Sequence, residues 1–460
     1  MNNANNKQSP SLCVIIGLGL TGLACARFFM KQGIAIAITD SRNNPPGLDK
    51  LTAEFPNIPL FLGKFEESLL ANATELIVSP GVSPSEPIVV LAKQRGIPII
   101  GDIEIFARYA TAPICAITGS NAKSTVTSLV TEMARTAGLE VRMGGNIGVP
   151  ALDLLADAEP QLYVLELSSF QLETTFSLKP AVATILNITP DHMDRYASFL
   201  EYKQAKHRIY QCAQAIVWNR DDENTYPQTS IHDEEYALAM TYSSFGLSPA
   251  TAGEFGLLDT PTGPYLTLGT DLLISVNEIT LKGRHNWANA LAALALGHIM
   301  QLSMPAMLNT LKTFKGLPHR CQLVIVKNGV SWYNDSKGTN VGATVAAIEG
   351  LGQAIRGKLI LIAGGVGKGA DFTDLRQPVA RYVRSVILIG EAAQQLQQTL
   401  SVDSKILRAT DLEEAIRLAS QEALSEDAVL LSPACASFDM FNNFEHRGLV
   451  FMETVKEMLK

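Results

Sequence analysis

The chain has 460 residues, 47% hydrophobic and 18% charged, a balance that excludes disorder and supplies cores for about three domains. Thirty-seven Lys and Arg against 45 Asp and Glu give a formal net charge of −8, and no basic cluster faces a phosphate backbone, so no nucleic-acid partner is expected. The six cysteines lie at least twelve positions apart without a CxxC, which predicts buried or partly buried thiols in a reducing, cytoplasmic setting rather than disulfides or a zinc site.

The polar opening Met1–Gln8 lacks the apolar core of a signal peptide. Apolar runs of strand length then alternate with helix-length segments, the pattern of parallel α/β sheets. Leu12–Ile16 predicts a strand, followed by a glycine turn, a helix to about residue 31 and a strand over 34–39. A helix at Asp102–Tyr109 ends at Thr111-Ala112-Pro113, which puts a first domain boundary near 111. Ile114–Thr118 is the next strand, with a helix to about 137 and strands at 162–167 and 182–187. A β-rich insertion is predicted over 215–279. The uncharged stretch 286–310 is interrupted by Asn289, Gly297, His298, Gln301 and Pro305, so a buried helix is expected there and no membrane span. Lys315-Gly316-Leu317-Pro318 reads as a linker and Asn328-Gly329 as a hairpin turn. Strands at 359–363, 386–389 and 429–432 close a last α/β domain.

Two loops carry phosphate chemistry. Gly17-Leu-Gly-Leu-Thr-Gly22 follows a strand and opens a helix, and Asp40 ends the next strand, as in a dinucleotide fingerprint. Taken alone it fits a nicotinamide oxidoreductase, or a tight packing turn. Gly119-Ser-Asn-Ala-Lys-Ser-Thr125 again joins strand to helix, although Ile117 stands where a full phosphate loop has its first glycine. Its backbone N–H groups and Lys123 suit phosphates, and the Ser124 hydroxyl suits Mg²⁺. The plainer alternative is a capped helix with an exposed lysine.

The second loop resembles the nucleotide loop of the Mur ligases, with Ala122 where that family usually has glycine. Further blocks agree in order: Gly144-Gly-Asn-Ile-Gly148, Glu166-Leu-Ser-Ser-Phe-Gln171, Thr189-Pro-Asp-His-Met-Asp-Arg195, Gly283-Arg-His-Asn-Trp-Ala-Asn289, Leu317-Pro-His-Arg320, Asn334-Asp-Ser-Lys337 and Ser432-Pro-Ala-Cys-Ala-Ser-Phe-Asp439. The resemblance implies an α/β chain of three domains: a Rossmann-like N-terminal domain over 1–111 for a UDP-substrate, a central P-loop-type ATPase domain over 112–317 and a Rossmann-like C-terminal domain over 318–460. It also implies an ATP- and Mg²⁺-dependent amide ligase of peptidoglycan precursor synthesis, joining D-glutamate to UDP-N-acetylmuramoyl-L-alanine through an acyl phosphate. The protein is expected to act as a monomer.

Site residues follow from the same resemblance. Leu20, Thr21, Asp40, Arg42 and Gly81 become substrate contacts at the UDP end. Gly119, Ser120, Asn121, Ala122, Lys123, Ser124 and Thr125 hold ATP, with Asn289 and Asp335 as adenosine contacts and Arg320 and Lys337 as phosphate-facing cations. Asn146 and Gln171 are implied substrate and metal-shell groups, while Ser437, Phe438 and Phe444 grip the amino acid. Ser124, Glu166, His192 and Lys206, the last as an N-carbamate, are implied metal ligands, and Lys123, His192, Lys206 and Lys337 catalytic groups. Unaided, Asp191 is the more natural oxygen ligand than His192, and Lys206, near Lys203 and Arg208, is a solvated lysine on an amphipathic helix. Lys368, in the turn Gly364-Gly-Val-Gly-Lys-Gly369, is read as domain structure with a role at the amino-acid site left open. Two further readings stay in view: an oxidoreductase using Gly17–Gly22, and a nucleotide-binding module inactive because of Ala122. Folylpolyglutamate synthetase shares the second loop but lacks the first.

Overall fold

Continuous aliphatic runs suit strands covered on both faces, and three mostly parallel sheets are built from them. The computed structural model describes residues 12–155, 158–227, 241–400 and 404–459, so the expectation for Met1–Gln8 lies outside the described residues. The first sheet, all parallel, has the spatial order Leu60–Leu62, Ala35–Asp40, Leu12–Ile16, Ala73–Val78, Ile99–Ile100. The second has nine strands. From one edge these are Val141–Gly145, Leu162–Glu166, Ile114–Thr118, Val182–Ile185, Ala215–Asn219 and Thr241–Phe245, then Phe255–Thr260, Gly263–Leu268 and Asp271–Ser275. The third runs Gln322–Lys327, Val330–Asn334, Ala428–Leu431, Leu359–Gly364, Val383–Ile389, Lys405–Arg408, parallel except for its first strand.

Three expectations need correction. The 215–279 segment is no separate insertion: Ala215–Asn219 pairs in parallel with Val182–Ile185 and with Thr241–Phe245, so it extends the central sheet, and only the last two strand pairings are antiparallel. The 286–310 stretch is two helices, Arg284–Ile299 and Met304–Thr313, because the chain turns at Gln301, whose φ is +58°, and Pro305 starts a new helix. Among the cysteines Cys212 is exposed; it sits in a turn with φ +57°. The Asn328-Gly329 turn forms as expected, with positive φ at both residues between paired Lys327 and Val330. No helix of the described residues is long and apolar enough to cross a membrane.

Parallel topology puts the motifs where a ligand can reach them. In the central sheet the strand Ile114–Thr118 lies between Leu162–Glu166 and Val182–Ile185, so Gly119–Thr125, Glu166 and Thr189–Arg195 emerge together beyond the strands' C-terminal ends. In the third sheet three adjacent strands deliver Asp335–Lys337, Ser432–Asp439 and Gly365–Gly369 in the same way. Helix Asp102–Tyr109 packs onto the central layer, with Phe106 edge-on to Tyr163 and Glu104 accepting from the Phe176 and Ser177 N–H groups.

Candidate active site

The first glycine loop is shaped by close approach. A Cβ on Gly22 would meet the Gly17 carbonyl oxygen at 2.0 Å, so only glycine lets the helix start against the turn. Asp40 is buried and accepts from the Leu18 N–H at 2.7 Å and from the Arg42 guanidinium at 2.7 and 2.9 Å. Burial alone would raise its pKa, but these donors hold it below the usual carboxylate range. Asp40 therefore fixes the loop from inside, while Leu20 and Arg42 are exposed at its mouth and Gly81 faces open space.

The second loop is held by its neighbours as well as by the first residue of its own helix. Ser120 Oγ donates to the Thr189 carbonyl and pairs with the Tyr202 hydroxyl, both at 2.9 Å, and the Asn121 N–H donates to Asn187 Oδ1 at 2.8 Å. Ala122 caps helix Lys123–Thr136 in the left-handed region, φ +65°, a conformation that costs a residue with a Cβ about 1–2 kcal/mol. The exposed lysine of the plainer alternative is not what is seen. Lys123 Nζ folds over the loop to the Gly119 and Ser120 carbonyls at 2.8 and 2.9 Å; burial lowers its pKa, and Glu166 and Asp191 oppose the shift.

Glu166 ends its strand with Oε1 accepting from Asn146 Nδ2 at 2.7 Å and Oε2 buried without a hydrogen-bond partner among the described residues. An orphaned carboxylate oxygen beside a phosphate loop fits a divalent cation. Among the described residues no three His, Cys, Asp or Glu converge into a cage. That suits Mg²⁺, which takes one or two protein oxygens and completes its shell with phosphates and water. Ser124 Oγ, held by Arg320 Nη2 at 3.0 Å, is a second oxygen on the same loop. His192 has φ +57°, donates its N–H to Asp191 Oδ1 at 2.9 Å and meets the edge of Phe170. Burial, with Lys368, Lys123 and Lys206 nearby, lowers its pKa against the pull of Asp191, leaving a neutral imidazole able to ligate.

Lys206 is not on a solvated face. It is fully buried, donates to the Gly119 carbonyl at 3.0 Å and lies over the Tyr202 ring. Burial and then Lys123, not Lys203 or Arg208, push its pKa well below the usual lysine value. Gln171 is consumed locally: its Oε1 accepts from the Ser168 N–H, and its Nε2 donates to Asp102 Oδ2, a buried carboxyl raised to about 6 by desolvation. That amide therefore has one N–H left for a ligand.

The third sheet closes the site. A cavity of about 310 Å³ is lined by Asn121, Thr125, Asn289, Arg320, Asp335 and Lys337, so residues from both sides of the linker meet around one space. Asp335 accepts from the Cys321 N–H and Ser432 Oγ at 3.1 and 2.7 Å; desolvation raises it to about 6, and it sets the turn that carries Arg320. Lys337 Nζ lies 3.6 Å above the Phe444 ring, and burial, then Arg320, bring its pKa down to about 8. Ser437 is buried and Phe438 71% exposed, so the two residues of that segment face different surroundings. A wider cleft of about 760 Å³ beside helix Phe199–His207 contains none of the expected site residues. Sequence reasoning missed Tyr202, Asn187, Asp102 and Asn340 as supports of the loops; of these only Asn340, ahead of an apolar run, carries a local signal, that of a helix cap.

Residues 11–101, 117–297 and 319–435 match three family descriptions: Mur ligase MurD-like, N-terminal domain; Mur ligase middle domain; and Mur ligase, glutamate ligase domain. The UDP-N-acetylmuramoylalanine--D-glutamate ligase of Nitrosococcus oceani is 50% identical over 459 residues, covering 100% of this chain and 99% of the relative. That of Pseudomonas aeruginosa is 51% identical over 445 residues, 97% and 98% of the two chains. Among solved structures, the UDP-N-acetylmuramate-alanine ligase MurC of Thermotoga maritima superimposes with a TM-score of 0.61 at 17% identity, over 97% of this chain and 99% of the other. MurF ligase of the same organism, in complex with ADP, gives 0.58 at 16% identity over 85% and 91%. At such identities the likeness shows the fold alone, and it is the three-domain α/β fold expected from sequence.

Proposed function

The chain belongs to the Mur ligase family, and on that premise we propose that it joins D-glutamate to UDP-N-acetylmuramoyl-L-alanine at the expense of ATP. The observation that carries the chemistry is the phosphate loop with an orphaned carboxylate oxygen beside it and cations of two sheets around it. Residues 1–111, 112–317 and 318–460 serve as its three working parts, in cytoplasmic precursor synthesis.

A carboxylate is a poor electrophile. An oxygen of the alanyl carboxylate therefore attacks the γ-phosphorus of ATP, and ADP leaves. The D-glutamate nitrogen, as the neutral amine, then attacks the acyl carbon, phosphate leaves, the nitrogen gives up a proton, and an amide remains. The protein's task is to bring an anion to a polyanion. Lys123, Arg320 and Lys337, each held with a lowered pKa by burial, present cations whose desolvation an arriving phosphate offsets. Backbone N–H groups at the start of helix Lys123–Thr136 add their dipoles. Asn289 and Asp335 line the adenosine end of the cavity. Leu20, Thr21, Arg42 and Gly81 meet the UDP end, and Asn146 and the free N–H of Gln171 the alanyl end. Ser437, Phe438 and Phe444 position the amino acid, with Phe444 kept in place by its contact with Lys337. Glu166, Ser124, His192 and a carbamate on Lys206 would hold Mg²⁺. When bound, that ion neutralises charge on the transferring phosphoryl oxygens.

The test is ADP release with UDP-N-acetylmuramoyl-L-alanine and a panel of amino acids. D-Glutamate should be the fastest acceptor. Equal turnover with L-glutamate, or a requirement for a folate substrate, would overturn the assignment.

A further inference from the structure

The active site is assembled from two sheets, and something must hold the halves in register. Asn340 begins helix Val341–Ala354 on the third domain, where its Oδ1 accepts from the Ala343 N–H at 2.9 Å. Its Nδ2 carries two hydrogens, and both leave the domain: one goes to Asn121 Oδ1 in the phosphate loop and one to Asp191 Oδ2, each at 3.0 Å. Flipping the amide would set its oxygen against the Asp191 carboxylate and leave the Ala343 N–H without its acceptor. The orientation is thus fixed at all three points.

We infer that Asn340 is a positioning residue that registers the third domain's cations on the phosphate loop; this rests on the ligase assignment above. Helix capping does not explain the residue type, since Ser or Asp caps as well as Asn but supplies no pair of N–H donors. Both recipients matter for the chemistry. Asn121 is locked to Asn187 through its N–H, and Asp191 in turn accepts from the His192 N–H at 2.9 Å and lies 3.8 Å from its Nε2. The next turn of chain fits the same seat: a Cβ on Gly342 would lie 3.2 Å from Asn121 Nδ2 and 3.3 Å from Thr189 Oγ1. The contact sets the domain that carries Arg320 and Lys337 against the phosphate loop, which Arg320 also meets at Ser124 Oγ, and ångström-scale misplacement of reacting groups costs about 100-fold in rate.

Two variants separate capping from registration. Asn340→Asp keeps the cap but removes both donors and faces Asp191 with a like charge; Asn340→Ser keeps the cap and removes the donors without adding charge. Both should melt at the temperature of the unaltered protein. Affinity for a non-hydrolysable ATP analogue with Mg²⁺, measured by calorimetry, should weaken by about 10-fold or more in Asn340→Asp and by less in Asn340→Ser. The rate constant kcat should fall in the same order while KM for UDP-N-acetylmuramoyl-L-alanine stays unchanged. Nucleotide affinity and kcat both within about two-fold of the unaltered protein in Asn340→Asp would overturn the inference. So would a matched loss of melting temperature in both variants with affinity intact, which is the signature of a cap alone. Because affinity is read without turnover, an inactive unaltered protein would strike the ligase assignment and still leave Asn340 to be judged.

Discussion

At the scale of the residue, Lys206 is where burial turns an ordinary side chain into a chemical tool. Carbon dioxide attacks only a neutral amine, and a free lysine, with a pKa of about 10.4, is almost wholly charged at neutral pH. Here desolvation and Lys123 both disfavour the charged form, and among the described residues the amine donates to a single acceptor, the Gly119 carbonyl. A carbamate would replace a buried cation with an anion, which ends the repulsion with Lys123 but sets a negative group near Asp191 and Glu166, so a bound divalent cation is what would hold it there. Lys206→Arg keeps the positive charge and cannot form that group. It is expected to lose most ligase activity, and carbon NMR after addition of labelled bicarbonate should show a carbamate signal in the unaltered protein that is missing from the variant. Full activity in Lys206→Arg would make the lysine structural.

At the scale of the element, the strand–loop–helix units were legible because parallel strands buried on both faces leave uninterrupted aliphatic runs, as in Ile114–Thr118 and Leu359–Gly364. The two glycine loops were legible as strand-to-helix turns because their residue pattern is local in sequence. What was not legible is pairing. Nothing in 215–279 announces that Ala215–Asn219 joins Val182–Ile185, since registry between distant strands is set by the surrounding layers. Asn340 was hidden for the same reason, its partners lying 219 and 149 positions away. The loop before helix Lys123–Thr136 gives a test at this scale. Ala122 occupies the left-handed region, so Ala122→Gly removes a steric cost of about 1–2 kcal/mol but adds about 0.5–1 kcal/mol of unfolded-chain entropy. A net gain in stability of up to about 1.5 kcal/mol is expected from denaturant unfolding, with nucleotide binding retained. A lower unfolding midpoint would contradict the strain, and abolished nucleotide binding would contradict the phosphate loop.

At the scale of the whole molecule, two of the three sheets deliver opposite kinds of groups to one place: a carboxylate and a phosphate loop from the middle, cations from the third. Without a polyanion those cations repel one another and are poorly solvated, which is why burial and Arg320 bring Lys337 down to about 8. The sign of the linkage follows. Between the folded value near 8 and the unfolded value near 10.4, the native state binds fewer protons than the unfolded one, so Lys337 makes stability rise with pH across that window; below it, the buried charge is a constant cost. Phosphate reverses the preference, because a nearby anion favours the charged amine and raises its pKa. Nucleotide binding slightly above pH 8 should therefore draw in protons. Calorimetric titration with ATP and Mg²⁺ in buffers of different ionisation enthalpy should record that uptake. Lys337→Arg, always protonated, should bind nucleotide with measurably less uptake at the same pH. Equal uptake in both proteins would mean that the proton enters elsewhere, with Lys123 the next candidate, and that Lys337 is already charged before the nucleotide arrives.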